Sequence, residues 1–210
     1  TPENTFYMRR EGTARLADVA MEDHPGIMWA LEAAQRHQIW LLIGSIRALE
    51  SGSPQPYNRS VLISPLGEIA ATYDKIHLFD VTLPDGQRYL ESSQAAAGDD
   101  AVTAAIEGAE LGLSICYDLR FPYLYQRLAQ QGATVLAVPS AFTKPTGAAQ
   151  WHTLLRARAI ENACYVIAPA QCGTHPGGRE TYGHSLIIDP WGEILAEASG
   201  ERPEMILAEI

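Results

Sequence analysis

Cys116 occupies a position where a folded chain can expose a nucleophile. It follows the mostly apolar run LGLSI, and YLYQRLAQQG, which has helical periodicity, begins shortly afterwards. This order predicts an elbow between a strand and a helix, where the helix N-terminus favours a thiolate. The backbone N–H of Tyr117 would then face a developing oxyanion. The alternative is a buried cysteine that only fills space, because free cysteines commonly pack as small hydrophobic residues.

Lys75 is the second candidate for chemistry. It lies in ATYDKIHLFD, at the end of a predicted strand and among apolar and aromatic residues. These neighbours predict partial burial, and a buried lysine needs an anionic partner or a developing negative charge. Glu3 in TPEN and Glu91 in RYLESS carry no signal alone, since most glutamates are solvated surface charges.

The elements that must position these residues alternate between helices and strands. GIMWALEAAQRHQ has helical periodicity behind Pro25, and IWLLIGSI has the length of a buried strand. The segments LGLSI, YLYQRLAQQG and ATVLAVP predict strand, helix and strand. AQWHTLLRARAIENA predicts a helix that leads into the strand CYVIAPA, and the final MILAEI also has the pattern of a strand.

An internal repeat indicates two similar halves. SVLISPLGEIAA, residues 60–71, and SLIIDPWGEILA, residues 185–196, are identical at seven of twelve positions. Each has a β-rich run, a Pro-x-Gly turn and a second run, which predicts a β-hairpin. Two equivalent hairpins predict pseudo-twofold symmetry, and strands in both halves predict a sheet-on-sheet core covered by helices.

Composition narrows the class of protein. The chain has 210 residues, of which 47% are hydrophobic and 19% charged, as in one ordinary globular domain. A net charge of −10 argues against nucleic acid as a partner. No apolar run is long enough to cross a membrane, and the first residues do not have the pattern of a signal peptide.

The cysteines and histidines do not predict a metal site. Cys116, Cys164 and Cys172 form neither a C-x-x-C pair nor a spacing typical of zinc, and their odd number argues against a disulfide framework. A reducing, cytoplasmic setting is the simplest interpretation. The histidines are not spaced as metal ligands either, and His184 in YGHS is expected to be a hydrogen-bonded structural residue.

Four separated motifs, TPEN, YDKIHLFD, a glutamate sixteen residues after the lysine, and CYDLRFP, occur in this order. They resemble the nitrilase (carbon–nitrogen hydrolase) superfamily, whose signature is a Glu–Lys–Cys triad with a second supporting glutamate. The resemblance runs over essentially the whole chain. It implies an α/β fold, an αββα sandwich with two pseudo-symmetric halves, and one domain over residues 1–210. Family members usually carry a strand and a helix before the first motif and a short tail after the last, so this domain is expected to be truncated at both ends.

The resemblance implies a role for each motif residue. Glu3 would be the general base, Cys116 the nucleophile and Lys75 the electrophilic stabiliser, with Glu91 orienting Lys75. The Tyr117 N–H would help to hold the oxyanion. The implied enzyme is an amidase that works through a thioester and needs no metal or organic cofactor.

Substrate recognition is the finer expectation. DKIHLFDV, SAFTKPTG and QCGTHPGGRETYGHS look like the Nit branch, which includes ω-amidases and amidases of deaminated glutathione, and the last stretch is closer to the latter. Arg120, four residues after Cys116, is suited to a bidentate clamp on a substrate carboxylate; a structural salt bridge with Asp118 or another acid is the alternative. Phe142 and Thr146, in the loop after the next strand, are placed near the substrate by the resemblance alone.

Several alternatives stay open at the level of sequence. The substrate would be a small α-keto acid amide such as deaminated glutathione, with α-ketoglutaramate, an N-carbamoyl amino acid or an aliphatic amide as the other choices. A non-catalytic binding protein on the same scaffold is the alternative from another class. Proteins of this family commonly pair through a helical face, so a homodimer or higher oligomer is expected, with residues 123–131 and the C-terminal segment contributing.

Overall fold

A computed structural model describes residues 1–8, 18–82 and 86–210. Within these residues no helix is both long and apolar enough to cross a membrane. The helices are α1 Pro25–His37, α2 Pro122–Gln130 and α3 Lys144–Asn162, with three short 3-10 helices, Met21–Asp23, Glu91–Ser93 and Cys116–Arg120. The strands, in chain order, are β1 Val19–Ala20, β2 Leu41–Leu49, β3 Tyr57–Ile63, β4 Ile69–Asp74, β5 Asp80–Thr82, β6 Arg88–Leu90, β7 Thr103–Ile106, β8 Ala109–Leu113, β9 Val135–Ala137, β10 Tyr165–Ala168, β11 Cys172–Thr174, β12 Glu180–Tyr182, β13 Leu186–Ile188 and β14 Ile194–Glu197.

Two main sheets form the centre of the fold. The first has the order β1-β2-β3-β4, and the second has the order β14-β13-β10-β9-β8-β7, with β8, β9 and β10 parallel. On one face of the first sheet, Ile43 and Val61 pack with Ile27 of α1. On its other face, Leu62 and Tyr73 share a core with the second sheet and with α2 and α3. The layers are therefore helix, sheet, sheet and helix, as the αββα expectation requires.

The two repeated segments form equivalent hairpins. Strands β3 and β4 pair antiparallel, as do β13 and β14. In the first turn, the Gly67 N–H donates to the Ser64 carbonyl at 2.9 Å. The Ser64 N–H donates to the Glu68 carbonyl, also at 2.9 Å. The second turn repeats this pattern between Asp189, Gly192 and Glu193 at 2.9 and 3.0 Å. Gly67 and Gly192 have φ of 75° and 85°, a left-handed conformation that glycine adopts without strain.

The structure differs from the sequence-based assignment at two segments. Helix α3 begins at Lys144, several residues before the predicted start, because Pro145 lies in its first turn, where the missing N–H costs nothing. Thr146 consequently belongs to the helix and not to the loop. The final MILAEI, predicted as a strand, is irregular and largely exposed, and no described strand pairs with it.

Candidate active site

The predicted elbow is present at Cys116. The chain leaves β8 through Ser114 and Ile115 and enters the 3-10 helix Cys116–Arg120. Cys116 has φ of 51°, which is uncommon for a residue with a side chain and marks a strained turn. Its N–H donates to the carbonyl of Pro139 at 2.9 Å, so the turn is held against the end of the neighbouring strand. The side chain is buried, with 7% exposure, but it lines a cavity and is not sealed in the core.

Asp118 fixes the shape of the elbow. This buried carboxylate accepts hydrogen bonds from the Ile115 N–H at 2.8 Å and the Tyr73 hydroxyl at 2.7 Å. It also accepts from the His77 N–H at 3.0 Å, and its Oδ1 lies 2.7 Å from His77 Nδ1. Asp118 thus ties the turn at Cys116 to β4 and to the residues after Lys75. Sequence reasoning considered Asp118 only as a partner of Arg120, and the structure gives it different partners.

Glu3 is held beside the first sheet by its neighbours. The N-terminal amine of Thr1 donates to Leu42 at 2.9 Å, and the Thr5 N–H donates to Ser45 at 3.0 Å, so the segment runs along β2. Gly44 permits this approach, because a Cβ there would lie 2.1 Å from the Thr1 carbonyl oxygen. Glu3 itself is buried at 4% exposure.

Lys75 lies between two carboxylates. Its Nζ is 2.9 Å from Oε1 of Glu3 and 2.9 Å from Oε2 of Glu91, and the lysine is 1% exposed. Glu91 also accepts the Phe79 N–H at 2.7 Å, which orients its carboxylate toward the lysine. The predicted burial of Lys75 and its need for anionic partners are both present in the structure.

Asn58 belongs to the same cluster and was missed by sequence reasoning. Its Nδ2 donates to Oε1 of Glu3 and to Oε1 of Glu91, both at 2.9 Å. Its backbone carbonyl accepts the Lys75 N–H at 2.9 Å, while its buried Oδ1 has no hydrogen-bond partner. The signal available in the sequence was its place at the start of the first repeated hairpin, but an asparagine in a strand does not by itself indicate a contact with two glutamates.

The charges of the cluster depend on one another. Burial opposes ionisation of Glu3, but the Lys75 charge and hydrogen bond outweigh it and hold the pKa of Glu3 below its usual value. Burial likewise opposes the charge on Lys75, yet Glu3 and Glu91 raise its pKa well above the ordinary value. Burial, reinforced by the Glu3 charge, raises the pKa of the Cys116 thiol well above the usual range, although Lys75 acts in the other direction. The resting site therefore holds a neutral thiol beside an ionised glutamate.

The residues around Cys116 include groups that can transfer a proton and groups that can stabilise an oxyanion. The Glu3 carboxylate and the Cys116 thiol line the same cavity, and Glu3 raises the pKa of the thiol while the Ala141 backbone lowers it. Tyr117 lies in the first turn of the 3-10 helix, where an N–H has no partner within the helix. Its ring packs edge-to-face on Phe79 at 5.1 Å, which fixes this turn.

These groups line one cavity of about 500 Å³. Phe142 and Thr146 also line it, as the resemblance implied. Phe142 is held by Trp151, with ring centroids 5.0 Å apart, and the Thr146 hydroxyl lies 2.8 Å from that of Thr143. The cavity has the size of a small-molecule site.

Arg120 does not belong to this set. It is exposed at the end of the 3-10 helix and donates to the side chain of Gln150 on α3. Arg120 is not among the described residues that line the cavity. The helical turn directs successive residues to different sides, and this geometry gives no support to the predicted carboxylate clamp.

Among the described residues, three other arginines line the cavity. Arg47 is committed to Asp18, with Nε to Oδ1 at 2.8 Å, and to the Gln94 carbonyl at 2.8 Å. Arg88 is exposed. Arg179 donates from Nη2 to the Ala141 carbonyl at 2.9 Å, and its buried Nε has no hydrogen-bond partner among the described residues. The sequence analysis used the stretch that contains Arg179 only as a likeness to one branch of the family and gave none of these arginines a role.

The structure groups two histidines with a glutamate away from the cavity lining. Glu197 Oε1 lies 3.0 Å from His152 Nε2 and 2.7 Å from His184 Nδ1. The three ligand atoms lie within 4.8 Å of one another, a grouping that their sequence spacing did not indicate. Burial opposes ionisation of Glu197, but hydrogen bonds from both histidines hold its pKa below the usual value. His184 is thus hydrogen-bonded, as expected.

Comparisons with known proteins agree with this geometry. The sequence profile described as carbon-nitrogen hydrolase matches residues 4–210. A deaminated glutathione amidase from Synechocystis sp. is 53% identical, over the whole of this chain and 77% of its own length. The crystal structure of the NitFhit protein of C. elegans is similar with a TM-score of 0.80 and 43% identity, over 85% of this chain and 44% of that one.

A second similar structure shows a covalent modification at a cysteine. In an amidase mutant from Nesterenkonia sp. AN1, the acetamide moiety of fluoroacetamide is covalently added at the active-site cysteine. This chain resembles it with a TM-score of 0.72 and 28% identity, over 87% of this chain and 66% of that one. From the profile match and the relatives together, the chain belongs to the carbon–nitrogen hydrolase family.

Proposed function

We propose that this chain is the catalytic domain of a cysteine amidase. Cys116 is the nucleophile, Glu3 the general base and Lys75 the oxyanion stabiliser, with Glu91 and Asn58 holding the charged pair. One observation carries the proposal: a buried Lys75–Glu3 ion pair and the Cys116 thiol lie together at the wall of a cavity. A purely structural cluster would not need an open cavity or a strained cysteine.

The reaction begins with proton transfer. Glu3 accepts the thiol proton as the sulfur attacks the amide carbon, so a high resting pKa of Cys116 is no obstacle. The tetrahedral oxyanion is stabilised by the Lys75 ammonium and the Tyr117 N–H, where removal of one such donor costs about 2.7–4 kcal/mol. Glu3 then returns the proton to the leaving nitrogen, and the amine or ammonia departs.

Hydrolysis of the thioester uses the same groups in reverse. Glu3 removes a proton from water as the water oxygen attacks the thioester carbon. The second oxyanion accepts hydrogen bonds from the same donors, Lys75 and the Tyr117 N–H. Its collapse expels the thiolate of Cys116, which takes the proton back from Glu3. The products are the free acid and the restored thiol. Each step is completed by side chains and water alone, without a metal or organic cofactor.

The proposed substrate is a small α-keto acid amide such as deaminated glutathione. Relatives of this chain from several organisms carry the name deaminated glutathione amidase, at 41–53% identity over most of this chain. α-Ketoglutaramate, N-carbamoyl amino acids and aliphatic amides are the other candidates, and a non-catalytic binding role is the alternative of another class.

A substrate screen tests the proposal. Purified protein is incubated with deaminated glutathione, α-ketoglutaramate, an N-carbamoyl amino acid and a simple nitrile, with and without a chelator, and released amine is measured. We expect turnover of the keto acid amides, unaffected by the chelator, and a thioester mass increment on the peptide that contains Cys116. Carbon dioxide released with ammonia would instead indicate a carbamoylase. Binding without turnover of any substrate would favour the non-catalytic alternative.

Assembly and compartment are separate proposals. We infer a homodimer formed through the outer helical face, because Tyr123 on α2 and Ile160 on α3 are large apolar residues with 60% and 54% exposure. A monomer in light scattering at micromolar concentration would contradict it.

Three free cysteines are consistent with a cytoplasmic enzyme. Fractionation of the source cells tests the compartment.

A further inference from the structure

Arg179 is a cation at the wall of the cavity for which the proposed chemistry has no use. It lies in the turn between β11 and β12, where the His175 N–H donates to the Arg179 carbonyl at 2.8 Å. The β11–β12 hairpin contacts the loop that follows β9, through a bridge between Thr143 and Thr181. The side chain therefore reaches the active-site loop from a different part of the fold than Cys116, Lys75 or Glu3.

Arg179 is linked to the loop beside Cys116 through a single residue. The Ala141 backbone lowers the pKa of the Cys116 thiol, and the Ala141 carbonyl accepts from Arg179 Nη2 at 2.9 Å. A second contact holds the guanidinium, whose carbon lies 5.7 Å from the centre of the Tyr89 ring. The charge is also felt at the reacting groups, since Arg179 contributes to the lowered pKa of Glu3. The guanidinium is thus held at the cavity that Cys116 also lines.

The guanidinium also has a hydrogen-bond donor that the described residues leave unpaired. The described residues form no salt bridge with Arg179, and its Nε, although buried, has no acceptor. Arg179 lines the cavity, so an anionic ligand bound there would meet a guanidinium that no carboxylate among the described residues neutralises. Of the other cations at the cavity, Lys75 is paired with Glu3 and Glu91 and Arg47 with Asp18, while Arg88 is exposed to solvent.

We propose that Arg179 forms an anion subsite that binds a carboxylate of the amide substrate and so selects acidic amides over neutral ones. A guanidinium matches a carboxylate with paired hydrogen bonds. In a protein of net charge −10, an anionic substrate needs a local cation of this kind. The inference rests on the proposed function, and it assigns to Arg179 the part that the sequence had suggested for Arg120.

The first experiment compares two substrates that differ only in charge. One is an α-keto acid amide with a free carboxylate, and the other is the same amide with that carboxylate as its methyl ester. For Arg179→Gln we expect kcat/KM on the acid to fall about 10–150-fold, mainly through KM, and on the ester by less than about 3-fold. Arg179→Lys should recover only part of the loss, because an ammonium lacks the planar fork. Arg127→Gln, an exposed arginine on α2, is the control and should behave as wild type on both.

Equal losses on acid and ester would overturn the proposal, since they would show that Arg179 only positions Ala141. A selective loss on the acid in Arg120→Gln, without one in Arg179→Gln, would overturn it in favour of Arg120.

The second experiment separates the subsite from the reaction. The dicarboxylic keto acid α-ketoglutarate is titrated calorimetrically into Cys116→Ser and into the double variant Cys116→Ser, Arg179→Gln. We expect the second Kd to be about 10–150-fold higher. Equal Kd values would overturn the subsite. If wild-type protein releases no amine from any amide while this binding difference remains, the proposed function fails and the anion subsite stands.

Discussion

The Nζ of Lys75 lies 2.9 Å from Oε1 of Glu3, and both side chains are almost completely buried. Two opposite charges in such surroundings stabilise each other only as a pair, since either one alone would be buried without compensation. Asn58 and Glu91 complete the arrangement by hydrogen bonds to the same two residues. The pair thus links the fold's stability to the protonation states that the reaction needs.

Stability should depend on pH in both directions. The pKa of Glu3 is lowered in the folded state, so its stabilising effect is complete above the usual carboxyl value of 4.5 and is lost as pH falls through the folded pKa. The pKa of Lys75 is raised, so its effect is complete below 10.5 and is lost as pH rises through the folded pKa. Urea unfolding across this range should show a plateau with a decline at each end.

Glu3→Gln is the control for that profile. It should lower the free energy of unfolding near pH 7 by about 3 kcal/mol, the lower end for breaking a buried pair, because Glu91 remains beside Lys75. The acid decline should become shallower in the variant. An unchanged acid decline would show that other carboxylates produce it.

Two cysteine substitutions separate chemistry from packing. Cys116→Ala should abolish turnover, because a thioester cannot form without the sulfur. Cys164→Ala should keep most of the activity, since Cys164 is buried just before β10. Its thiol lies within hydrogen-bonding distance of the Ala133 and Asn162 carbonyls. Amine release and mass spectrometry of trapped acyl-enzyme measure both. Near-normal turnover in Cys116→Ala would exclude Cys116 as the nucleophile.

Asn58 should act on the pH profile of catalysis. Asn58→Asp places a third carboxylate against Glu3 and Glu91, and like charges raise a carboxyl pKa. The acid limb of kcat/KM should move upward by about one pH unit or more. Asn58→Ala removes both hydrogen bonds without adding charge and should lower kcat about 10-fold or more, as expected for two lost hydrogen bonds to carboxylates.

Asn162→Asp, on α3, serves as the matched control, because it adds the same charge outside the cavity lining. It should leave the acid limb where it is. An Asn58→Asp profile that coincides with the wild-type profile would mean that Asn58 supports the strand and not the carboxylates.

The sequence predicted the parts of the fold that repeat or follow a clear period. The two Pro-x-Gly hairpins were visible as a repeat, and the structure forms both with the same turn hydrogen bonds. Helices α1 and α2 were predicted to within a few residues, because their apolar spacing is regular and proline marks each start. The strand predicted at MILAEI failed, since an apolar run does not identify a pairing partner.

The site was predictable where residues carry their own signal and not elsewhere. Glu3, Lys75, Glu91 and Cys116 lie in motifs, and the structure brings all four together. Asn58 and Arg179 enter the cavity through strand pairing and a hairpin turn, which depend on contacts between distant segments. Arg120 was chosen for its closeness in sequence to Cys116, but one helical turn is enough to direct a side chain away from the cavity.

Asp118 should be the most sensitive support of the elbow. Asp118→Ala leaves the Ile115 and His77 N–H groups and the Tyr73 hydroxyl without their acceptor, and Asp118 and Tyr73 are almost completely buried. Each unsatisfied donor costs about 1–3 kcal/mol, so the free energy of unfolding should fall by about 3 kcal/mol or more. kcat should fall as well, because the turn that presents Cys116 loses its anchor.

Asp99→Ala, at an exposed aspartate, is the control and should change stability by less than about 0.5 kcal/mol. Urea unfolding and amine release measure the two effects, and equal unfolding midpoints for the two variants would show that the elbow is held by the Cys116–Pro139 hydrogen bond instead.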